Sequence, residues 1–263
     1  MLAGAVSAGA DCLIGRRIRR RQKEGAHGVT TTQVKPDLGT YFQAIIESAQ
    51  TLIRSNVLSP SLHGNISVRI PGTDTIVLTG GGSLATLSES DLAVLDLDGN
   101  VLQGHLEPVA HEIVHMHTTP YKMRRDLGSV IHTHSPYSTS YAVASKPLEC
   151  ISEAMSRFDI VDAVPVAKYG PRGSKESVEN IASVMTDRTS AVLLENHGIL
   201  AMGRDASAAT RVVIVLEESA FLGIHAAALG GARPIPAHML HASSQRAAEF
   251  QQMGTLQKGK SQL

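Results

Sequence analysis

Apolar and polar positions alternate with two different periods along this chain. From Asp37 to about Val57, Leu38, Tyr41, Phe42, Ile45, Ile46, Ala49, Leu52 and Ile53 recur at helical spacing. The stretch SLHGN breaks that pattern. ISVRI (66–70) and TIVLT (75–79) then read as strands about a PGTD turn. TGGGS reads as a loop, and LAVLDLDGN as a strand that ends in an Asp-Gly-Asn turn. Helical spacing returns from about Val109 to Arg124. SVIHTH (129–134) is a strand, and Tyr137 to Ala144 a short helix.

The second half continues the mixture. IVDAVPVAKYG reads as strand and loop, and SKESVENIASVM (174–185) as an amphipathic helix. SAVLLEN and ILAMG are strands about a tight turn that contains His197 and Gly198. Residues 207–231 form a long helix closed by Gly-Gly, and the polar tail from about Ser243 is helical and then frayed. Strands and helices intermixed in this way predict an α/β or α+β domain over residues 37–245, between an N-terminal arm (1–36) and a C-terminal tail (246–263).

Composition narrows the picture. Of 263 residues, 43% are hydrophobic but only 3% aromatic, with no Trp, so the core is aliphatic and Ala-rich. Such a core suits packed helices and sheets better than an aromatic-rich sandwich. Formal net charge is zero, which gives no global field for nucleic acid. RRIRRRQK, near the N-terminus, is expected to be a poorly ordered, solvated charge run. It follows an apolar stretch instead of preceding it, which is the wrong order for a secretory signal. No apolar run reaches the roughly 18 residues of a membrane span. Cys12 and Cys150 are too few for a disulfide framework, and a cytoplasmic location with reduced thiols is expected.

Several motifs compete for the chemistry. HEIVH (111–115) has the short zinc-peptidase pattern, but the Gly and final His of the extended form are Thr118 and Tyr121. GTLQKGKS (254–261) matches a phosphate loop, yet only two residues follow it and no helix can open there. Asn65-Ile66-Ser67 is a glycosylation sequon with nothing to route it to the secretory pathway. SVIHTH is stronger. Residues two apart in a strand point the same way, so His132 and His134 project together. His197, pushed outward by its Asn-Gly turn, is a plausible third ligand. Three imidazoles with an open position suit catalytic Zn, and the same donors accept Mn or Fe. Glu112 and Glu107 are carboxylates on or beside the preceding helix.

At this point the chain resembles the class II aldolase/adducin family. HGNISVRI (63–70) is similar to its Gly-Asn-x-Ser loop, and LTGGGS with LSESDLAVLDLDGN to its Thr-Gly turn and acidic strand. HTTPYKMRRDLGSVIHTHSP (117–136) resembles its helix and His-x-His strand. YGPRGSKESVENIA and AVLLENHGILAMG resemble its later loop and third histidine. The resemblance covers roughly residues 38–231.

It implies a three-layer α/β/α fold with a central, mostly antiparallel sheet. It also implies a homotetramer with intersubunit active sites, acting on a small molecule with no nucleic-acid or membrane partner. One divalent metal per subunit would be held by His132, His134 and His197. The family's acid/base Glu lies four residues before the histidine matched by His117, where this chain has Ile113. Glu112 is therefore the candidate acid/base, with Glu107 as the other. Gly64, Asn65, Gly80 and His111 are candidate substrate contacts.

Two departures narrow the chemistry further. The Ser-Ser pair that holds phosphate in sugar-phosphate aldolases is replaced by Ala110 and His111, or Val109 and Ala110. The C-terminal Tyr acid has no counterpart, since the last Tyr is Tyr169. The implied function is a carbon–carbon lyase, aldolase or decarboxylase, acting through a metal-stabilised enolate on a hydroxy-carbonyl or hydroxy-acid substrate. A 4-epimerase or dehydratase of the same family, and a non-catalytic adducin-like domain, are the alternatives. The three retained histidines weigh against the last.

Overall fold

The computed structural model describes residues 37–240, 242–246 and 249. RRIRRRQK, Cys12 and GTLQKGKS lie outside the described residues. The first helix, α1 (Leu38–Arg54), starts where Asp37 accepts a hydrogen bond from the Gly39 N–H, a side-chain N-cap. It buries Ile45, Ala49 and Leu52. Strands β1 (Gly64–Arg69) and β2 (Thr75–Thr79) form the expected hairpin, followed by β3 (Leu92–Asp96) and a short β4 (Val101–Gln103). Then come α2 (Val114–Met123), β5 (Ser129–Thr133), α3 (Pro136–Val143), α4 (Glu153–Arg157), β6 (Val166–Ala167), α5 (Lys175–Val184), β7 (Ala191–Leu194), β8 (Gly198–Gly203) and α6 (Ala206–Ala227).

The strands join one sheet in the order β4-β3-β2-β1-β5-β8-β7-β6. Every neighbouring pair is antiparallel except β6/β7. Period-2 alternation sends consecutive side chains to opposite faces, and both faces are covered. Ile66, Ile131, Leu193 and Ile199 pack with α1, α3, α4 and α6. Ile76, Leu95, Val130 and Leu200 pack with α2 and α5. The fold is thus the expected three layers around a mostly antiparallel sheet.

Three details differ from the sequence reading. The helix expected from Val109 opens as a 3-10 segment, Pro108–Ile113, and becomes α-helical only at Val114. The Ala110 N–H closes a tight turn onto the Glu107 carbonyl, and the Val114 N–H another onto the His111 carbonyl. The long helix stops at Ala227, four residues early, while Gly230 and Gly231 take the left-handed conformation. Helix α4, five residues capped by Ser152 onto the Met155 N–H, is too short for its period to show in sequence. Cys150 is buried, and its thiol pKa is raised by burial.

A buried carboxylate braces the segment after β5. Glu217 of α6 is 5% exposed, and its two oxygens accept the Tyr137 and Ser138 N–H groups at 2.8 Å each. These donors open α3 and have no partner within their own helix. Burial raises the Glu217 pKa, against the lowering effect of those N–H bonds. Replacing Glu217 with Ala strands both donors. The expected loss is about 2–4 kcal/mol of unfolding free energy, read from urea midpoints.

Candidate active site

Register places the first two histidines. His132 lies on β5 between β1 and β8, opposite Asn65 and Leu200. Its side chain shares the α2 face with Val130, two residues earlier. His134 follows just past the strand end. His197 sits at the tip joining β7 to β8, where Asn196 takes a left-handed φ of 57° and the His197 N–H bonds to the Leu194 carbonyl. One nitrogen from each ring lies within 4.8 Å of the others. The ring centroids are 4.7 to 5.1 Å apart.

The donor set suits a cation. His132 Nδ1 donates to the Ile199 carbonyl at 2.8 Å, which leaves Nε2 with a lone pair. That Nε2 is 3.0 Å from His134 Nε2. Separations from 3.0 to 4.8 Å bracket the ~3.3 Å imposed by tetrahedral Zn–N bonds of ~2 Å. All three rings are held toward the neutral, ligating form. Burial lowers the His132 pKa well below its usual range, helped by the other two imidazoles. Burial also lowers His197 to about 4, with further lowering from His134 and Arg172. His134 is lowered by burial, then by His63 and Arg172. Among the described residues, this is the one cluster of three or more His, Cys, Asp or Glu with that geometry.

HEIVH does not compete with it. His111 and Glu112 lie in the 3-10 segment and His115 in α2, and all three are exposed. Ile113, at the position of the family's Glu, is buried in the aliphatic core under the sheet. Glu112 is half-exposed, and its Oε2 pairs with Arg172 Nε at 3.1 Å. Glu107 packs against the glycine loop that follows β2. Its carboxylate sits where a side chain on Gly81 would be, and its N–H bonds to the Gly80 carbonyl.

Gly64 and Gly80 have packing reasons of their own. A Cβ on Gly64 would stand 2.8 Å from the His132 carbonyl, and one on Gly80 2.4 Å from that of His105. Asn65 is tied into a buried network. His117 Nε2 donates to Asn65 Oδ1 at 2.6 Å, and the Ser67 hydroxyl donates to His117 Nδ1 at 2.8 Å. Tyr121 in turn donates to the Ser67 carbonyl at 3.0 Å. Burial drives the His117 pKa down to about 3, so this ring is neutral.

Beside His134 and His197 opens a cleft of about 610 Å³, walled by Pro60, Pro136, Val143 and Ala144 with Ser59, Thr139 and Ser140. A neighbour of the triad, His63, and the partner of Glu112, Arg172, were not singled out in the sequence. The exposed His63 has its ring centroid 6.4 Å from that of His134. Arg172 comes from the loop before α5. Both lie in segments quoted for the family resemblance, HGNISVRI and YGPRGSKESVENIA.

A profile of the Class II Aldolase and Adducin N-terminal domain matches residues 43–223, more than half of the chain. The chain belongs to this family. It is 36% identical over 160 residues to an L-fuculose phosphate aldolase of Methanocaldococcus jannaschii, covering 60% of this chain and 82% of that protein. A 5-deoxy-D-ribulose 1-phosphate aldolase of Bacillus thuringiensis serovar kurstaki is 30% identical over 196 residues, 74% of this chain and 89% of that one. A solved L-fuculose 1-phosphate aldolase superposes with a TM-score of 0.71 at 29% identity, covering 79% of this chain and 95% of the other. These relatives mark an enzyme of class II aldolase type, a divalent-metal-dependent class, and the histidine triad is a group that could hold such an ion. None of the helices described is long and apolar enough to cross a membrane.

Proposed function

We propose that this protein is a metal-dependent carbon–carbon lyase acting on a small hydroxy-carbonyl or hydroxy-acid substrate. The observation that carries the reading is the convergence of three imidazoles, from β5, the residue just past it and the β7–β8 turn, beside an open cleft. His132, His134 and His197 would hold one divalent metal, Zn in first place, with Mn or Fe acceptable to the same donors. Bound there, the metal supplies Lewis-acid stabilisation of negative charge developing on a substrate oxygen.

The protein's own groups do the rest. Glu112, on the same side of the sheet as His132, takes a proton from the substrate and returns it to the carbon left by cleavage. His117 accepts from Ser67 and donates to Asn65 Oδ1, so the Asn65 amide keeps its NH2 as a donor for a substrate oxygen. The apolar walls of the cleft take the carbon chain and limit the water around it. Where phosphate-binding serines would stand, Val109 and His111 are exposed and Ala110 is buried, so no hydroxyl is offered. That favours an unphosphorylated substrate.

Elemental analysis of the chain purified without chelator tests the reading. About one Zn, Mn or Fe per subunit is expected in the wild type, and almost none in His197→Ala. Metal retained by His197→Ala would sink the ligand set.

A further inference from the structure

The cleft beside the triad is walled mainly by one helix. Pro136, Thr139, Ser140 and Val143 recur at three- and four-residue spacing along α3 and so share one face of it. Ala144 follows at the end of that helix, and Ser59 and Pro60 come from the loop after α1. His134 and His197 line the same space, so anything held by the triad has this cleft at its side. The wall is fixed in place. Helix α3 begins two residues after His134, and Glu217 accepts the Tyr137 and Ser138 N–H groups that open it.

The chemistry of this lining selects by what it withholds. Among the described residues that line the cleft there is no Asp, Glu, Lys or Arg. Its three hydroxyls are engaged or shut away. Ser140 donates to the Pro136 carbonyl at 2.9 Å, Ser59 and Ser61 share a hydrogen bond at 2.8 Å, and Thr139 Oγ1 is closed off from solvent without a partner. A charged group moved from water into this space loses hydration and gains no opposite charge. A chain of hydroxyls exchanges water for few partners. A hydrocarbon meets neither cost, and it gains by covering apolar surface. Pro60, Pro136, Val143 and Ala144 are all exposed, Val143 by 59%, and all four border the cleft. A volume of about 610 Å³ exceeds what a methyl group needs and falls in the range of small-molecule sites.

We infer that this cleft holds an uncharged hydrocarbon substituent of the substrate, alkyl or aryl, attached next to the oxygens that meet the triad, and that Val143 helps to set which chains fit. The inference rests on the lyase reading above. It narrows the substrate to a hydroxy-carbonyl compound or hydroxy acid with an apolar tail.

A series of hydroxamates tests it. A hydroxamate presents two adjacent oxygens, as a carbonyl with a neighbouring hydroxyl does, and its acyl chain can be varied. Zinc-loaded full-length protein is titrated calorimetrically with aceto-, butyro-, hexano- and benzohydroxamate, with gluconohydroxamate as the six-carbon hydroxylated chain and the monohydroxamate of succinate as the charged one. Affinity of the wild type should rise about threefold per added methylene. Hexanohydroxamate should bind at least tenfold tighter than gluconohydroxamate, and the succinate compound should bind no better than acetohydroxamate. Val143→Asp places a carboxylate at an exposed position of the wall and should cut the ratio of hexano- to acetohydroxamate affinity about tenfold. Leu102→Asp changes an equally exposed residue of β4, outside the cleft, and should keep the wild-type ratio.

An affinity that does not change with chain length would overturn the inference. So would equal binding of the hydroxylated chain, or a ratio that survives Val143→Asp. His197→Ala separates these results from failure of the lyase reading. If acetohydroxamate binds the wild type and not His197→Ala while the series is flat, the hydrocarbon site falls and the lyase reading stands. If acetohydroxamate binds both equally, or neither, the ligand set falls and takes the hydrocarbon site with it.

Discussion

Glu112→Gln is expected to slow proton exchange at the hydroxymethyl carbon of hydroxypyruvate by about 10²–10⁴-fold, the usual contribution of a positioned acid/base group. The assay is loss of the C–H signal in D2O, followed by NMR with the metal-loaded enzyme. It reads proton abstraction next to a carbonyl and needs no knowledge of the second product. Glutamine keeps the shape of the side chain and a hydrogen-bond acceptor for Arg172, so metal content should stay at the wild-type level. Hydroxypyruvate binding should stay at the wild-type level. Weak exchange with undiminished binding separates a lost proton carrier from a damaged site. Glu107→Gln is the control. Its carboxylate rests against Gly81, while Arg172 pairs with Glu112, and exchange should stay within about twofold of wild type. Were Glu107→Gln the slow variant, the acid/base role would pass to it.

Gly198→Ala is expected to damage the metal centre without touching a ligand. The added methyl would stand 2.5 Å from the Thr133 carbonyl, 2.9 Å from His134 Cδ2 and 3.2 Å from His132 Cε1. The first contact is with backbone in the middle of the sheet, so the strands must part or the rings must turn. Overpacking of this kind costs about 1–3 kcal/mol. Displaced ligand rings should weaken metal binding by about 10–100-fold, as loss of a supporting group around a metal site does. Competition with a zinc chelator gives the affinity, and thermal melts of metal-free and metal-loaded protein give the stability. A variant with wild-type affinity would mean that the triad tolerates displacement and that the metal lies elsewhere. Gly198 also shows how the turn divides its work. Asn196 takes the left-handed conformation, and Gly198 is there for space.

The parts of this protein that sequence made legible share a short range. Helix α1 showed in apolar spacing, and its Asp37 cap lies one residue before it. The hairpin β1–β2 showed in alternation about PGTD. His132 and His134 project together because the strand period is two. His197 entered through its turn and through the family resemblance. What escaped were features with no period. Residues 108–113, read from spacing as part of a helix, close i to i+3 turns and form a 3-10 segment. Helix α4 is about one turn long. Glu217, a charge on an otherwise apolar face, reads as an interruption until α3 delivers two unpaired N–H groups to it.

By itself the sequence determined the alternation that makes a sheet apolar on both faces, the helices that cover it, and three histidines in the right kinds of element. Each depends on residues within a few positions of one another, where backbone geometry converts spacing directly into direction. Only the tertiary structure decided that Asn65 faces His132, that His117 holds Asn65, that Glu107 stays with the glycine loop, and that Arg172 reaches Glu112 from 60 positions further along the chain. Those relations follow from strand register and from how a loop packs on a distant segment. No local propensity encodes them, because the free energy that selects them comes from burying the whole aliphatic core at once.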